Sequence, residues 1–416
     1  MIQAQAQAHR TTPIDTTSVR LDFRFFKDAA AGVPHYLDNA ATTQKPDCVI
    51  QAIADCYARH SAPVHRGLYP LADSATRQYE KARSRLARFL GVAADDELIF
   101  TRSATEAINM VAWGWARQHL SPGDQVWLTR QEHHSNYLPW QRVCQEQGAE
   151  LRIIELQPDG SLDLAGSPEL FGPKTRFIAI CLVSNVLGLE NPVAELCAAA
   201  RSLDIPVLVD AAQAVPHLPV DVLELGCDFL VCSAHKMYGP SGIGLLYGRA
   251  ERLRSMEPLL LGGGMVDYVA DARGVSSWAD IPARFEAGSP DLAGAAGFAA
   301  AADYLDGLGR SRVREHLERL TRIAGQALSA LPGVRLLATE GTALISFTVD
   351  GVHPHDLAQF AGEQGVAIRA GHHCAQPLMR SLDLVASARA SFAVYNDEDD
   401  VQALVNAVSQ AQRVFS

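Results

Sequence analysis

A lysine, an aspartate and a cysteine stand out in this chain by the company they keep. Lys236 closes the run F-L-V-C-S-A-H-K (229–236) and is followed by M-Y-G-P-S-G-I-G (237–244). Asp210 closes an apolar stretch inside V-D-A-A-Q (209–213). Both follow strand-like runs. In open α/β sheets ligands bind beyond the carboxyl ends of the strands, so both side chains are expected in one crevice. An amine and a carboxylate placed this way suit pyridoxal phosphate: the lysine condenses with the aldehyde, and the aspartate pairs with the protonated pyridine nitrogen. Taken singly, an aspartate here would be read as a helix cap and a lysine as a surface charge. Ser233 and His235 add donors for the phosphate, and Thr105 adds another if residues 103–105 open a helix, because a helix N-terminus attracts anions.

Cys374 lies in R-A-G-H-H-C-A-Q-P (369–377), a polar, glycine-containing setting that is wrong for a core. His372, His373 and Arg369 beside it, and a helix start expected at 376–377, favour the thiolate, which is the reactive form. Of the other seven cysteines (Cys48, Cys56, Cys144, Cys181, Cys197, Cys227 and Cys232), most read as buried free thiols. No C-x-x-C pair or paired spacing points to a disulfide framework or a zinc site, and the twin histidines lack further clustered ligands, so no metal is expected. Reduced thiols fit a cytoplasmic protein. Arg389, set among Ala, Ser, Phe and Val, offers a guanidinium fork that matches a carboxylate.

The elements that must position these residues can be read coarsely. Strand-like runs at 98–101, 126–129, 151–155, 177–183, 207–210, 229–233 and 244–247 alternate with helical stretches, which predicts a mostly parallel seven-stranded α/β sheet covered on both faces. A helix is expected from residue 46, with Val49, Ile50, Ile53 and Tyr57 on one face. A second spans 75–90 and stops at Gly91. After about residue 288 the pattern changes to helices at 292–308 and 311–331, a strand at 343–349, a helix at 354–364, strands at 367–370 and 388–394, and a last helix from 398. This reads as a smaller α+β domain. The expected division is an N-terminal segment (1–32) packing with the small domain, a large domain (33–290), and a small C-terminal domain (291–416) carrying Cys374. At 416 residues the chain exceeds one ordinary core. Its 36 basic and 47 acidic residues give a net charge of −11, spread without a basic patch, so nucleic acid is not an expected partner. No apolar run reaches the roughly 18 residues that cross a bilayer, so no membrane association is expected. The first 18 residues have no signal-peptide character and read as a short flexible tail.

The ordered motifs L-D-N-A-A-T-T (37–43), T-R-S-A-T-E-A-I-N (101–109), E-H-H-S-N (132–136), V-D-A-A-Q and S-A-H-K-M-Y-G-P (233–240) resemble the class V aminotransferase family of fold-type I pyridoxal-phosphate enzymes. V-H-R-G (64–67), R-F-E-A-G-S-P (284–290), R-A-G-H-H-C-A-Q-P and R-A-S-F-A-V-Y-N (389–396) narrow the resemblance to cysteine desulfurases of the Suf/Csd, or group II, type. It extends from about residue 36 to the C-terminus. The resemblance implies a fold-type I transferase in which Lys236 carries pyridoxal 5'-phosphate. His133 would stack on the ring and shuttle protons. Asn185 and Gln213 would contact the ring hydroxyl, and Ala212 would pack on the opposite ring face. Thr105, Ser233 and His235 would hold the phosphate. Ser289 would reach the phosphate of a neighbouring subunit, which implies a homodimer with Gly262, Gly263 and Gly264 close to the interface. Arg389, with Arg369 and Asn185, would receive the substrate carboxylate. The implied activity is removal of sulfur from L-cysteine, giving L-alanine and a persulfide on Cys374. A SufE-like acceptor protein would carry the sulfur onward to iron–sulfur cluster assembly or related sulfur metabolism. Selenocysteine lyase and cysteine sulfinate desulfinase are the alternative activities among relatives. The chain departs from the commonest pattern with Ser103–Ala104 for Gly-Thr, Ala234 for Gly, Ser289 for Thr and Ser135 for Ala.

Overall fold

The computed structural model describes residues 13–27 and 34–415. The apolar runs form seven strands: β1 (Leu98–Thr101), β2 (Gln125–Thr129), β3 (Glu150–Ile154), β4 (Thr175–Cys181), β5 (Val207–Asp210), β6 (Phe229–Ser233) and β7 (Gly244–Gly248). They lie in one sheet in the order β1-β7-β6-β5-β4-β2-β3. The neighbours from β6 through to β3 are parallel, and β7 runs antiparallel to both β1 and β6. Most of these strands are buried along their whole length, which is why they read as continuous apolar runs and not as alternating ones.

Five helices of this part bear on the argument: α1 (Asp47–Arg59), α2 (Pro70–Phe89), α3 (Ala104–Val111), α4 (Leu138–Gln147) and α5 (Val193–Arg201). α2 begins earlier than expected, with Pro70 in its first turn, where a missing N–H is harmless. Gly91 stops it two residues beyond Phe89, at a φ of 69° that a residue with a side chain adopts only under strain. α1 starts where expected, but its face differs. Val49 and Cys56 are the buried positions, while Ile50 and Tyr57 are exposed. The helical spacing was right, and the apolar side chains are not all spent on this chain's own core.

The remainder opens with α6 (Leu292–Leu308), which packs on α1 and α2, and α7 (Arg310–Ser329). A second sheet follows, built from β8 (Val334–Leu336), β9 (Leu344–Val349), β10 (Arg369–Gly371) and β11 (Ser387–Ser391), in the order β8-β9-β11-β10 with antiparallel neighbours. α7 and α8 (Pro354–Glu363) cover it, α9 (Gln376–Ser381) follows the Cys374 segment, and α10 (Glu398–Phe415) packs on α7 and α8. The expected strand at 367–370 is two short pieces, because Val366–Ala367 pairs with His35–Tyr36 instead of continuing into β10.

The tail reading for residues 1–12 lies outside the described residues. For 13–18 it does not hold: Thr16–Arg20 is a helical turn capped by Asp15. Arg20 donates to the carbonyl of Tyr395 (2.8 Å) and pairs with Asp400 (2.8 Å), which ties this turn to the C-terminal part of the chain.

Candidate active site

The carboxyl ends of β1, β2, β4, β5 and β6 converge on one edge of the large sheet, and β10 and β11 of the second sheet face them. Between them is a cavity of about 290 Å³. Its walls include Lys236, Asp210, Cys374, His133, Arg389 and Arg369. Thr105, Ser233, His235, Asn185, Gln213 and Ala212 line it too. Of the site residues expected from sequence, Ser289 is the exception. It lines a separate cavity of about 380 Å³ with Gly242, Leu260 and Glu286.

Asp210 ends β5 and is buried, which holds its carboxyl above the usual range, although the nearby Lys236 amine opposes the shift. Lys236 sits in a short turn after β6. Burial pushes its amine below the usual lysine range, against the pull of Asp210. A desolvated amine of this kind is more readily neutral, and so more readily a nucleophile or a base.

His133 follows β2. Its Nδ1 accepts from the Ser135 N–H (3.1 Å) and lies 2.9 Å from the Ser135 hydroxyl, which places the proton of the neutral ring on Nε2. Burial, with the Lys236 charge adding to it, lowers its pKa to about 3. The preceding residue, Glu132, anchors the turn from within. It accepts from the Thr129 hydroxyl (2.6 Å), the Cys181 N–H (3.0 Å) and the Asn136 amide (2.7 Å), and burial raises its carboxyl to about 7. Ser135, one of the departures from the common motif, also places its hydroxyl 2.8 Å from that of Thr105. Ser103 caps α3, which meets the condition set for Thr105: it stands in the first turn of that helix.

The second sheet supplies the cations and the thiol. Arg369 and Arg389 are direct cross-strand partners on β10 and β11, an arrangement that like charges disfavour. Asp38 relieves it by reaching both, at 3.6 and 3.5 Å. Arg389 is only 3% exposed. Its Nη1 donates to the Asn185 carbonyl (2.8 Å), and its Nε is buried without a partner among the described residues. Burial lowers its pKa to about 10. Cys374 is exposed at the cavity wall. Six of the other seven thiols are buried, and Cys48 is exposed.

Three buried atoms without a partner among the described residues belong to residues that line this space: Arg389 Nε, His373 Nδ1 and the Oε1 of Gln213, whose Nε2 donates to the Ala40 carbonyl (2.7 Å). A cavity with a buried amine, a buried carboxylate, an unpaired guanidinium N–H and an unpaired amide oxygen is built to receive a polar guest.

Comparison with known proteins agrees with this geometry. The Aminotransferase class-V family matches residues 35–404. A probable cysteine desulfurase of Halalkalibacterium halodurans is 45% identical over 91% of this chain and 93% of its own. A cysteine desulfurase of Klebsiella pneumoniae is 44% identical over 95% and 98% respectively. The chain belongs to the class-V aminotransferases, among the cysteine desulfurases. Among solved structures, the cysteine desulfurase CsdA of Escherichia coli, in its S-sulfonic acid form, matches with a TM-score of 0.90 and 38% identity over 97% of this chain and 100% of that one. The more distant C-DES, in a mutant with glycine covalently linked to its PLP cofactor, matches with a TM-score of 0.77 and 25% identity over 92% of this chain and 98% of that one.

Sequence reasoning passed over Asp38, Glu132 and His134 within motifs it had singled out. The carboxylate of Asp38 and the E-H-H triplet were the available signals. The partners of Asp38 and His134 are far away in the chain and could not be read from it, whereas Glu132 also bonds Thr129 and Asn136 close by.

Proposed function

We propose that this protein is a pyridoxal-phosphate-dependent cysteine desulfurase, a sulfurtransferase of the group II kind, which takes sulfur from free L-cysteine onto Cys374 and releases L-alanine. The observation that carries the reading is that the Lys236 amine and the Cys374 thiol line the same cavity. The pocket fits the cofactor. Lys236 would bind its aldehyde, Asp210 its ring nitrogen and Gln213 Oε1 its ring hydroxyl. His133 and Ala212 would flank the ring, and Thr105, Ser233 and His235 would hold the phosphate. When bound, the cofactor supplies an electron sink next to the amino acid's Cα.

The chain's own residues do the rest. Arg389 receives the substrate carboxylate through its Nε, which has no partner among the described residues, and the Nη2 held only loosely by Asp38. Arg369 adds positive charge at the cavity wall, and Asn185 steadies Arg389 through its carbonyl. Lys236, kept readily neutral by burial, takes the Cα proton. His133, neutral with its proton on Nε2, is placed to pass protons between substrate and ring. The Cys374 thiolate attacks the substrate sulfur. The new S–S bond forms as the C–S bond breaks, the electron pair left on Cβ takes up a proton, and Lys236 returns a proton to Cα to complete alanine.

The reading extends to the assembly. Ser289, outside its own chain's site, would face the phosphate site of a second subunit in a homodimer. The division of the chain into 1–32, 33–290 and 291–416, with Cys374 on the last part, is the matching domain proposal. The short segment from Arg369 to Pro377 limits how far a persulfide travels. This favours hand-off to a SufE-like acceptor in the cytoplasm, for iron–sulfur cluster assembly or related sulfur metabolism.

The test is to incubate the protein with L-cysteine and measure its intact mass. One added sulfur, mapped to Cys374 and formed together with alanine, is expected. Alanine formation at full rate by Cys374→Ser would remove the thiol from the reaction.

A further inference from the structure

His134, the residue after His133, is committed to the sulfur-bearing segment and does not line the cavity. Its backbone N–H donates to the carbonyl of Cys374 (2.7 Å), and its Nε2 accepts from the N–H of Gln376 (3.1 Å). One residue thus ties the backbone at Cys374 itself and again two residues beyond it. The tie matters because the segment is strained. His373 and Cys374 sit at φ of 50° and 54°, a region that residues with a side chain occupy only where their surroundings hold them there. A further restraint, the Asn185 amide on the His373 carbonyl (2.7 Å), comes from a residue that itself lines the cavity. The His134 ring bond is a restraint that can be removed without altering the cavity wall.

We propose that His134 is a positioning residue for sulfur transfer: its ring, by accepting the Gln376 N–H, holds Cys374 against the cavity, and it takes no part in the proton chemistry at Lys236. The proposal rests on the reading of Cys374 as the sulfur acceptor. It also gives adjacent residues of the E-H-H triplet separate duties. His133 serves the cavity interior and His134 serves the thiol.

The experiment uses the holoenzyme with His134→Ala, His134→Asn (too short to reach Gln376) and His134→Gln, whose Oε1 reaches the position of the imidazole Nε2. Three rates are read: backbone hydrogen exchange in the peptide containing 372–376, alanine formation from L-cysteine, and solvent exchange of the Cα proton of L-alanine. The last needs Lys236 but no sulfur acceptor. In the alanine and asparagine variants the peptide should exchange roughly fivefold faster, as expected for one lost net hydrogen bond. Desulfuration should fall by about tenfold or more, and Cα exchange should stay within about twofold, because misplacing a reacting group is costly to the step that uses it. The glutamine variant should recover most of both losses. Equal falls in desulfuration and Cα exchange, or unchanged desulfuration with a loosened peptide, would overturn the assignment. Failure of the underlying reading looks different: Cys374→Ser would then make alanine at the rate of the unmodified protein.

Discussion

Arg389→Lys is the most informative single substitution at the carboxylate end of the site. The guanidinium is 3% exposed and already spends Nη1 on the Asn185 carbonyl at 2.8 Å. Nη2 lies 3.5 Å from Asp38, at the edge of a hydrogen bond, and Nε has no partner among the described residues. A substrate carboxylate can therefore take the Nε–Nη2 edge as a bidentate pair, with one new bond gained at no loss and one exchanged for a weak contact. A lysine ammonium at this position is a point charge on a chain of different reach and cannot present that edge. Losing one charge-assisted hydrogen bond costs about 1.5–3 kcal/mol, and at about 1.4 kcal/mol per tenfold this is roughly a 10- to 150-fold fall in kcat/KM for L-cysteine. Arg389→Ala, which removes both bonds and leaves Asp38 to Arg369 alone, should fall further still. The assay is alanine formation over a range of L-cysteine concentrations, with cysteine methyl ester as the companion substrate. The ester has no carboxylate to lose, so its kcat/KM should change by no more than about threefold. An equal loss on acid and ester, or a loss below about threefold on the acid, would refute the clamp and make Arg389 a structural residue.

The other expectations are quicker to state. Asp210→Asn, which removes the buried charge facing Lys236, should cut alanine formation by at least about a hundredfold while leaving Cys374 as readily alkylated as before, since electrostatic stabilisation of a reacting centre is a large term. Activity within tenfold would detach Asp210 from the ring. Stability should fall in acid. Burial lowers His217 and His373 to about 3, below the unfolded value near 6.5, so the unfolded state binds more protons in acid. Their contribution is complete above pH 6.5 and is lost as the pH falls from there towards 3. The pair should cost about 3 kcal/mol by pH 5.5, read as a drop in Tm of the cofactor-free protein between pH 7.5 and 5.5. A flat profile across that interval would mean that these imidazoles are protonated in the fold.

How far the sequence could be read depended on the range of each interaction. The seven large-sheet strands were legible because burial on both faces makes each a short apolar block between helical stretches. The positions of Lys236 and Asp210 at strand ends followed from the same blocks. His35–Tyr36, Val334–Leu336 and the pair Val266–Tyr268 with Ser277–Trp278 escaped notice, because two or three residues carry no period. Asp38 was not singled out because its partner Arg389 is 351 positions away. His134 was missed because it acts on a backbone amide 242 positions distant, and such a target leaves no mark in the residue types on either side. The exposed face of α1 shows the opposite failure: Ile50 and Tyr57 satisfied the helical period without being buried in this chain's core.

Asp38, Asn185 and His134 show how the site is held together. Lys236, Asp210 and His133 belong to the large sheet, whereas Arg369, Arg389 and Cys374 belong to the second. None of the second group is held in place by its own sheet alone. Asp38 spans the two arginines, the Asn185 backbone carbonyl takes one of them, the Asn185 amide holds the His373 carbonyl, and His134 ties the two residues flanking Ala375. A displacement of one sheet against the other by the length of a hydrogen bond would break several of these contacts together. The carboxylate clamp and the thiol would then be lost in the same event, because Asn185 belongs to both. The two halves of the proposed chemistry, proton removal and sulfur capture, are thus distributed over two sheets and coupled through Asn185 and His134. It follows that Asn185→Ala, which removes the amide bond to the His373 carbonyl but keeps the backbone carbonyl that Arg389 uses, should depress Cys374-dependent sulfur transfer, as His134→Ala should, without breaking the Asn185–Arg389 contact.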